Sequence, residues 1–204
     1  MNPDDSIATR ETLIERLRKW DDHASWQEFF DLYWRLIHRV AIKAGLDEDE
    51  AQEVVHDTVV TASRNLPEFR YEPERCAFKT WLLNLTRWRI VDQIRKRARA
   101  TAMGASEPRA PDEIEQIPDP AGCALEKVWD QEWELNLLEA ATQRVKQQVA
   151  PKQYQMFYLH ALKDVPVGEV ARRVGASIGS VYLAKHRIGR MLKRELKVMQ
   201  EGAV

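Results

Sequence analysis

The chain has 204 residues, with 31 basic and 32 acidic side chains and a formal net charge of −1. Its two cysteines, Cys76 and Cys123, are far apart and form no CxxC pair, which disfavours a disulfide framework and a zinc site. The sequence contains no apolar run of membrane-spanning length and no leader pattern at its start. We therefore expect a cytoplasmic protein that does not contact membranes.

Apolar residues recur at helical spacing from the start of the chain and predict an all-α fold. Thr12 to Trp20 gives a short amphipathic helix. From Trp26 to Ala44 the spacing predicts a second helix, which ends at Gly45. Its predicted core stripe consists of Trp26, Phe29, Phe30, Tyr33, Ile37, Val40 and Ala41.

The next predicted helix begins after a cap at Asp47 or Asp49 and carries an acidic face. Six acids and no Lys or Arg lie between Asp47 and Asp57. This face extends one turn beyond the part that the helix dipole stabilises, which favours a basic partner. The residues predicted to face the core are Ala51, Val54, Val55, Val59 and Ala62.

A loop broken by Pro67 and Pro73 leads into a predicted helix from Phe78 to Arg99. Its apolar stripe consists of Phe78, Trp81, Leu82, Leu85, Ile90 and Ile94. From Arg87 onward this helix holds six cations against the single acid Asp92, a pattern that suits phosphate. Trp88 lies between two arginines, and an indole there favours stacking on unpaired bases.

Composition changes between Ala100 and Gly122, where prolines and acids replace the apolar periodicity. This change predicts a flexible acidic linker at 100–122, between an N-terminal helical bundle at 1–99 and a C-terminal domain at 123–204. In the C-terminal domain, helical patterns run from Ala124 to Pro151 and from Lys152 to Leu162.

The stretch from Val165 to Leu196 has the pattern of a helix-turn-helix. Pro166 suits the first helical position, Ala171 a close helix crossing, Gly175 the turn and Ser177 the cap of the second helix. On that second helix Val181, Ile188 and Leu192 share one face, and polar residues project from the other. A polar face of this kind can enter a major groove. A plain helical hairpin is the alternative, but nine cations against three acids between Lys163 and Lys197 favour DNA.

Three segments, in this order, resemble bacterial sigma factors of the extracytoplasmic-function class, over about residues 24–97 and 125–197. QEVVHDTVVTASRNLPEFR, which begins at Gln52, resembles the polymerase-docking helix of that class. FKTWLLNLTRWRIVDQIRKR resembles the helix that melts the promoter and reads its −10 element, with Trp81, Asp92 and Arg95 on pattern. SIGSVYLAKHRIGRMLKREL is similar to the −35-reading helix, on pattern at Ser177, Gly179, Val181, His186 and Arg187.

The resemblance implies a transcription initiation factor rather than an enzyme, acting without a cofactor. Its partners would be core RNA polymerase and promoter DNA, with an anti-sigma protein as a further partner. Polymerase docking would involve Glu50, Glu53 and Asp57. The separated −10 strand would be bound by Asn84, Arg87, Trp88, Arg95, Lys96 and Arg97, and the loop from Tyr71 to Ala77 would receive an extruded base. The −35 duplex would be bound by Ser177, Ser180, Tyr182, Lys185, His186, Arg187 and Arg190.

Two other functions fit parts of the sequence. His38, the pair His56 and Asp57, and Asp92 match the ligand types of metal-dependent phosphohydrolases, although Asp57 is predicted to lie on a polar face rather than inside a site. A stand-alone transcriptional regulator would use the C-terminal motif alone. It would not need the basic and aromatic helix of the N-terminal domain.

Overall fold

The computed structural model describes residues 16–17, 22–66, 78–104 and 122–201, and every regular element within these ranges is helical. The helices are α1 (His23–Lys43), α2 (Glu48–Asn65), α3 (Phe78–Gly104), α4 (Gly122–Gln148), α5 (Pro151–Phe157), α6 (Val167–Val174) and α7 (Ile178–Glu201). A π-helical turn at Tyr158–Leu162 follows α5. The predicted all-α class is confirmed. Contacts divide the chain into two compact units, and the division falls inside α4, between Asn136 and Leu137.

In the first unit α1 packs on α2 and α2 packs on α3. The chain turns after α1 at Gly45, whose φ of +91° suits glycine, so the predicted helix end is confirmed. Asp47 caps α2 in a reciprocal box: its carboxylate accepts the Glu50 amide at 2.9 Å, and the Glu50 carboxylate accepts the Asp47 amide at 3.0 Å. These local signals were readable in the sequence.

Aromatic side chains join α1, α3 and the first part of α4. The ring of Tyr33 lies 5.7 Å from that of Trp133 and 5.4 Å from that of Phe78, centroid to centroid. Trp129, one turn before Trp133, is fully buried. The early residues of α4 therefore complete the core of the first unit.

A buried carboxylate joins the same part of α4 to α1. Glu132 accepts hydrogen bonds from Arg39 Nε and Lys43 Nζ, each at 2.6 Å. Burial opposes ionisation of Glu132, but the bonds from Lys43 and Arg39 outweigh it and hold its pKa below the ordinary value. Asn136 also donates to the carbonyl of Leu32 at 2.9 Å. The change in composition predicted that this segment belongs to the domain that begins at 123, whereas its contacts are with α1. As functional boundaries, the domain limits stay predictions.

Three local expectations need correction. Phe30 was predicted to be in the core but is 37% exposed and stacks on Trp34, because the apolar stripe of α1 is wider than its buried face. Residues 100–104 continue α3 instead of beginning the linker. Pro166 caps α6 and Val167 is its first residue. Gly122, the last residue of the predicted linker, begins α4. Residues 105–121, the loop at 67–77 and most of the helix predicted at Thr12 to Trp20 lie outside the described residues.

The second unit contains the predicted helix-turn-helix. Gly175 ends α6 with φ +61° and ψ 53°, the left-handed conformation that the turn requires. Ala171 is buried where α6 meets α7, as predicted. The core between them consists of Met156, Val170, Ala171, Val181 and Ala184.

Candidate nucleic-acid interface

Two of the predicted docking acids on α2 bond to predicted DNA-binding cations on α3. Glu53 Oε2 accepts hydrogen bonds from Lys96 Nζ at 2.9 Å and from Gln93 Nε2 at 2.7 Å. The bond from Lys96, followed by that from Gln93, lowers the pKa of Glu53, and the same pairing with Glu53 raises the pKa of Lys96. The charged forms of both groups are therefore favoured in the folded protein.

A second pair lies beside the first: Glu50 is one turn before Glu53 on α2, and Arg97 directly follows Lys96 on α3. Arg97 Nη1 donates to Glu50 Oε2 at 3.1 Å and to the Gly45 carbonyl at 3.2 Å. The Glu50 carboxylate also accepts the Asp47 amide in the cap of α2, so it bonds both to the cap and to Arg97. We call Glu50, Glu53, Gln93, Lys96 and Arg97 the α2–α3 clasp.

The clasp divides the predicted −10 residues into two groups. Lys96 and Arg97 face α2 and share their charge with its acids. Asn84, Trp88 and Arg95 are exposed, and their spacing of four and seven residues places them along one side of α3. We call these three residues the Trp88 strip. Arg87 is half-buried and lies on a different side of the helix.

Trp88 is 67% exposed, which is unusual for the largest apolar side chain in the protein alphabet. The indole therefore lies outside the core of the first unit. Its neighbour Arg89 is directed towards α2, where it donates to Thr61 Oγ1 at 2.7 Å. Arg89 thus holds α3 in place while the indole faces solvent, in a position from which it can stack on a planar ligand.

Gln93 was not among the residues predicted to contribute to this surface. Gln93 is buried between α2 and α3, where its amide bonds Glu53. The only signal available was a polar residue on the apolar side of the α3 pattern, between Ile90 and Ile94. Such a residue requires a hydrogen-bond partner once it is buried.

On α7 most of the predicted −35 residues surround one open groove of about 520 Å³. The residues that line it are Tyr182, Lys185, His186, Gly189, Arg190 and Lys193. The ring of Tyr182 is oriented by His160, whose ring lies 5.8 Å away at 85° to it. The groove therefore presents the hydrogen-bond donors of Lys185 and Arg190 and the ring of Tyr182, all on α7.

The other predicted −35 residues have different positions. Ser177 caps α7 as predicted: its hydroxyl accepts the Ser180 amide at 3.1 Å and lies 2.9 Å from the Ser180 hydroxyl. Arg187 is exposed beside the groove rather than in its lining. Among the described residues, Lys185, Arg187 and Arg190 form no ion pair. Their charge is available to an anionic partner.

The ligand types of a metal phosphohydrolase do not converge in the described ranges, where no three His, Cys, Asp or Glu side chains lie close enough to hold a metal ion. His38 Nε2 instead lies 3.0 Å from Glu48 Oε1. Asp92 lies 3.4 Å from the Arg89 guanidinium. Among the residues the structure describes, no helix is both long enough and apolar enough to cross a bilayer.

A comparison with family models matches one part of the chain. Residues 29–100 match the model of Sigma-70 region 2, a segment that contains the whole of α2, the α2–α3 clasp and the Trp88 strip. Comparison with curated proteins gives no match. The segment that matches is the one whose docking and DNA-binding helices resembled sigma factors in the sequence. The match identifies a Sigma-70 region 2 at residues 29–100 and supports assignment to the sigma-70 family of sigma factors.

Proposed function

We propose that the chain is a transcription initiation factor of the extracytoplasmic-function class. In this role it binds core RNA polymerase through α2, binds the separated −10 strand through α3 and binds the −35 duplex through α7. The polymerase carries out the chemistry, so the chain itself needs no catalytic residue or cofactor. Work with polymerase on DNA would place the protein in the cytoplasm.

The observation that carries this proposal is the exposed indole of Trp88 within the matched region 2. A protein that binds duplex DNA alone gains little from an exposed indole, because the faces of paired bases are covered by their neighbours. Separated bases expose those faces, and stacking on an aromatic side chain then stabilises the complex. Arg95, on the same strip, is exposed for contact with the strand's phosphates.

Docking on polymerase would use the acidic face of α2. Glu53 is exposed, and one of the two hydrogen bonds that its carboxylate accepts comes from a cation, Lys96. A basic surface on the polymerase would therefore compete with Lys96 for the same carboxylate. Asp57, one turn further along α2, is half-buried and would extend the contact.

Binding of the −35 duplex would use the exposed side of α7. Lys185, Arg187 and Arg190 can bond to phosphates or to guanine edges. The groove at this side of the helix is lined by side chains able to donate to base edges. The Ser177 cap and the buried side chain of Val181 fix the start of this helix.

Transcription with purified core polymerase tests the proposal directly. Core enzyme is incubated with a library of promoter fragments, with and without the full chain, and the RNA products are sequenced. We expect specific start sites only when the chain is present. Trp88→Ala should reduce these products, and Phe30→Ala, which removes a partly exposed aromatic residue of α1, should not. Equal products with and without the chain would contradict the proposed function.

A further inference from the structure

Leu183 lies in the middle of the proposed DNA-binding side of α7. It is 72% exposed, more than any other large apolar side chain in the described ranges. Gly179 precedes it by one turn, and His186 and Arg187 follow it by one turn, so it lies opposite the buried residues Val181 and Ile188. An isolated exposed leucine is ordinary on a protein surface, but here its neighbours are the cations that would draw DNA to this face.

Gly179 gives a second observation at the same place. A Cβ added to Gly179 would meet only the Ser177 hydroxyl, at 3.8 Å, so packing within the protein does not require glycine here. Its φ is not in the left-handed region, and glycine lowers helix stability relative to alanine. What glycine does provide is an open backbone surface one turn before Leu183. A base edge could approach the helix closely at that point.

We infer that Leu183 contacts the C5-methyl group of a thymine in the duplex element bound by α7. The thymine methyl is the apolar group that base pairs present in the major groove, and apolar side chains distinguish thymine from cytosine by contacting it. The flanking cations anchor the phosphates on either side, and Leu183 reads the base between them. This inference rests on the proposed function, because it requires α7 to lie in a major groove.

Removing the thymine methyl group from the DNA tests whether Leu183 contacts it. Duplexes are first selected from a random library by the full chain bound to core polymerase, and each thymine of the recovered element is then replaced by uracil. Uracil pairs like thymine and lacks only the methyl group. Wild-type protein should lose about fourfold in affinity at one position, the factor expected for one buried methyl group. Leu183→Ala should lose less than about twofold at that position.

Two further variants keep the test specific. Leu183→Met retains an apolar side chain of similar size and should keep most of the sensitivity to the methyl group. Leu162→Ala removes another exposed leucine of the second unit, 54% exposed, and should behave like wild type. Because Leu183 is exposed, its replacement should leave the fold unchanged, which circular dichroism will check.

The outcomes separate this inference from the proposed function. If no duplex element is recovered beyond those that core polymerase selects alone, the proposed function fails and the inference falls with it. If an element is recovered but uracil is tolerated at every position, the inference alone is overturned. A Leu183→Ala protein that stays fully sensitive to the methyl group, or that loses polymerase binding with its DNA preference unchanged, would overturn it equally.

Discussion

The two cationic surfaces of this protein differ in how their charges are used. On α3, Lys96 and Arg97 bond to Glu53 and Glu50 of the neighbouring helix, and the exposed strip beside them centres on an indole. On α7, the predicted cations form no ion pair within the described residues and surround an open groove. The first surface is partly neutralised by the acids of α2, whereas the cations of the second have no acidic partner among the described residues.

This difference indicates how each surface should bind DNA. Unpaired cations attract the phosphates of any duplex, so binding through α7 should depend strongly on salt. Where the cations are shared with acids, less counterion release is available and stacking must contribute more of the affinity. The pairing also couples the proposed polymerase contact to the proposed −10 contact, because the clasp contains residues of both.

The largest expected effect comes from the core that supports the first surface. Trp129→Ala removes a fully buried indole from α4 and should destabilise the first unit by about 3–5 kcal/mol. Amide hydrogen exchange should then rise in α1 to α3 and remain slow in α5 to α7. Leu135→Ala, at an exposed position of the same helix, is the control and should change little. Unchanged protection in α1 would show that α4 is not part of that core.

Reversing one charge of the clasp comes next. Glu53→Lys should weaken binding to core polymerase by about 2–3 kcal/mol if Glu53 contacts a basic surface there. Since it also breaks the bond to Lys96, the double variant Glu53→Lys/Lys96→Glu is the matched control, with the clasp restored and its charges exchanged. The double variant should still bind polymerase weakly. Recovery of wild-type binding would mean that the clasp, and not a docking contact, explains the loss.

Removing the Trp88 indole should have a smaller effect, confined to binding of single-stranded DNA. Trp88→Ala should weaken binding of the polymerase complex to single-stranded −10 DNA by about 1–3 kcal/mol. Binding to −35 duplex should be unaffected. At an exposed position the free energy of unfolding should change by less than about 0.5 kcal/mol. Equal losses on both forms of DNA would argue that Trp88 supports the fold and does not stack on a base.

The smallest expected effect is a pKa shift inside the clasp. Hydrogen bonds from Lys96 and Gln93 lower the pKa of Glu53 below its ordinary 4.5, so their stabilisation is present above that pH. It is lost as the pH falls further, through the lowered pKa. A carboxyl titration followed by NMR should show the Glu53 pKa rising towards 4.5 in Lys96→Met and in Gln93→Ala. No change in either variant would show that the clasp does not persist in solution.

Local features of the fold were predictable from the sequence because their causes are local. The cap at Asp47, the end of α1 at Gly45 and the turn at Gly175 depend on residues within a few positions of each other. Partners far apart in sequence were not predictable. The helical pattern from Ala124 to Pro151 did not show that Trp133 would pack against Tyr33 of α1.

The candidate site shows the same limit. Counting charges along α3 treated six cations as equivalent, yet Lys96 and Arg97 point to α2 while Arg95 points to solvent. The side of a helix that meets a neighbour depends on tertiary packing, and the pairing of Glu53 with Lys96 spans 43 residues. On α7 the polar side was predictable, since the buried stripe of Val181 and Ile188 fixes it.

Site-specific crosslinking tests most directly whether the two surfaces bind two parts of one promoter. A photoreactive phenylalanine analogue replaces Trp88 in one protein and Tyr182 in another, and each full chain is bound with core polymerase to the same promoter. We predict that the probe at 88 reacts with an unpaired base of the −10 element, and the probe at 182 with duplex in the −35 element. Crosslinks from both positions to a single element, or from 88 only to duplex DNA, would contradict the account.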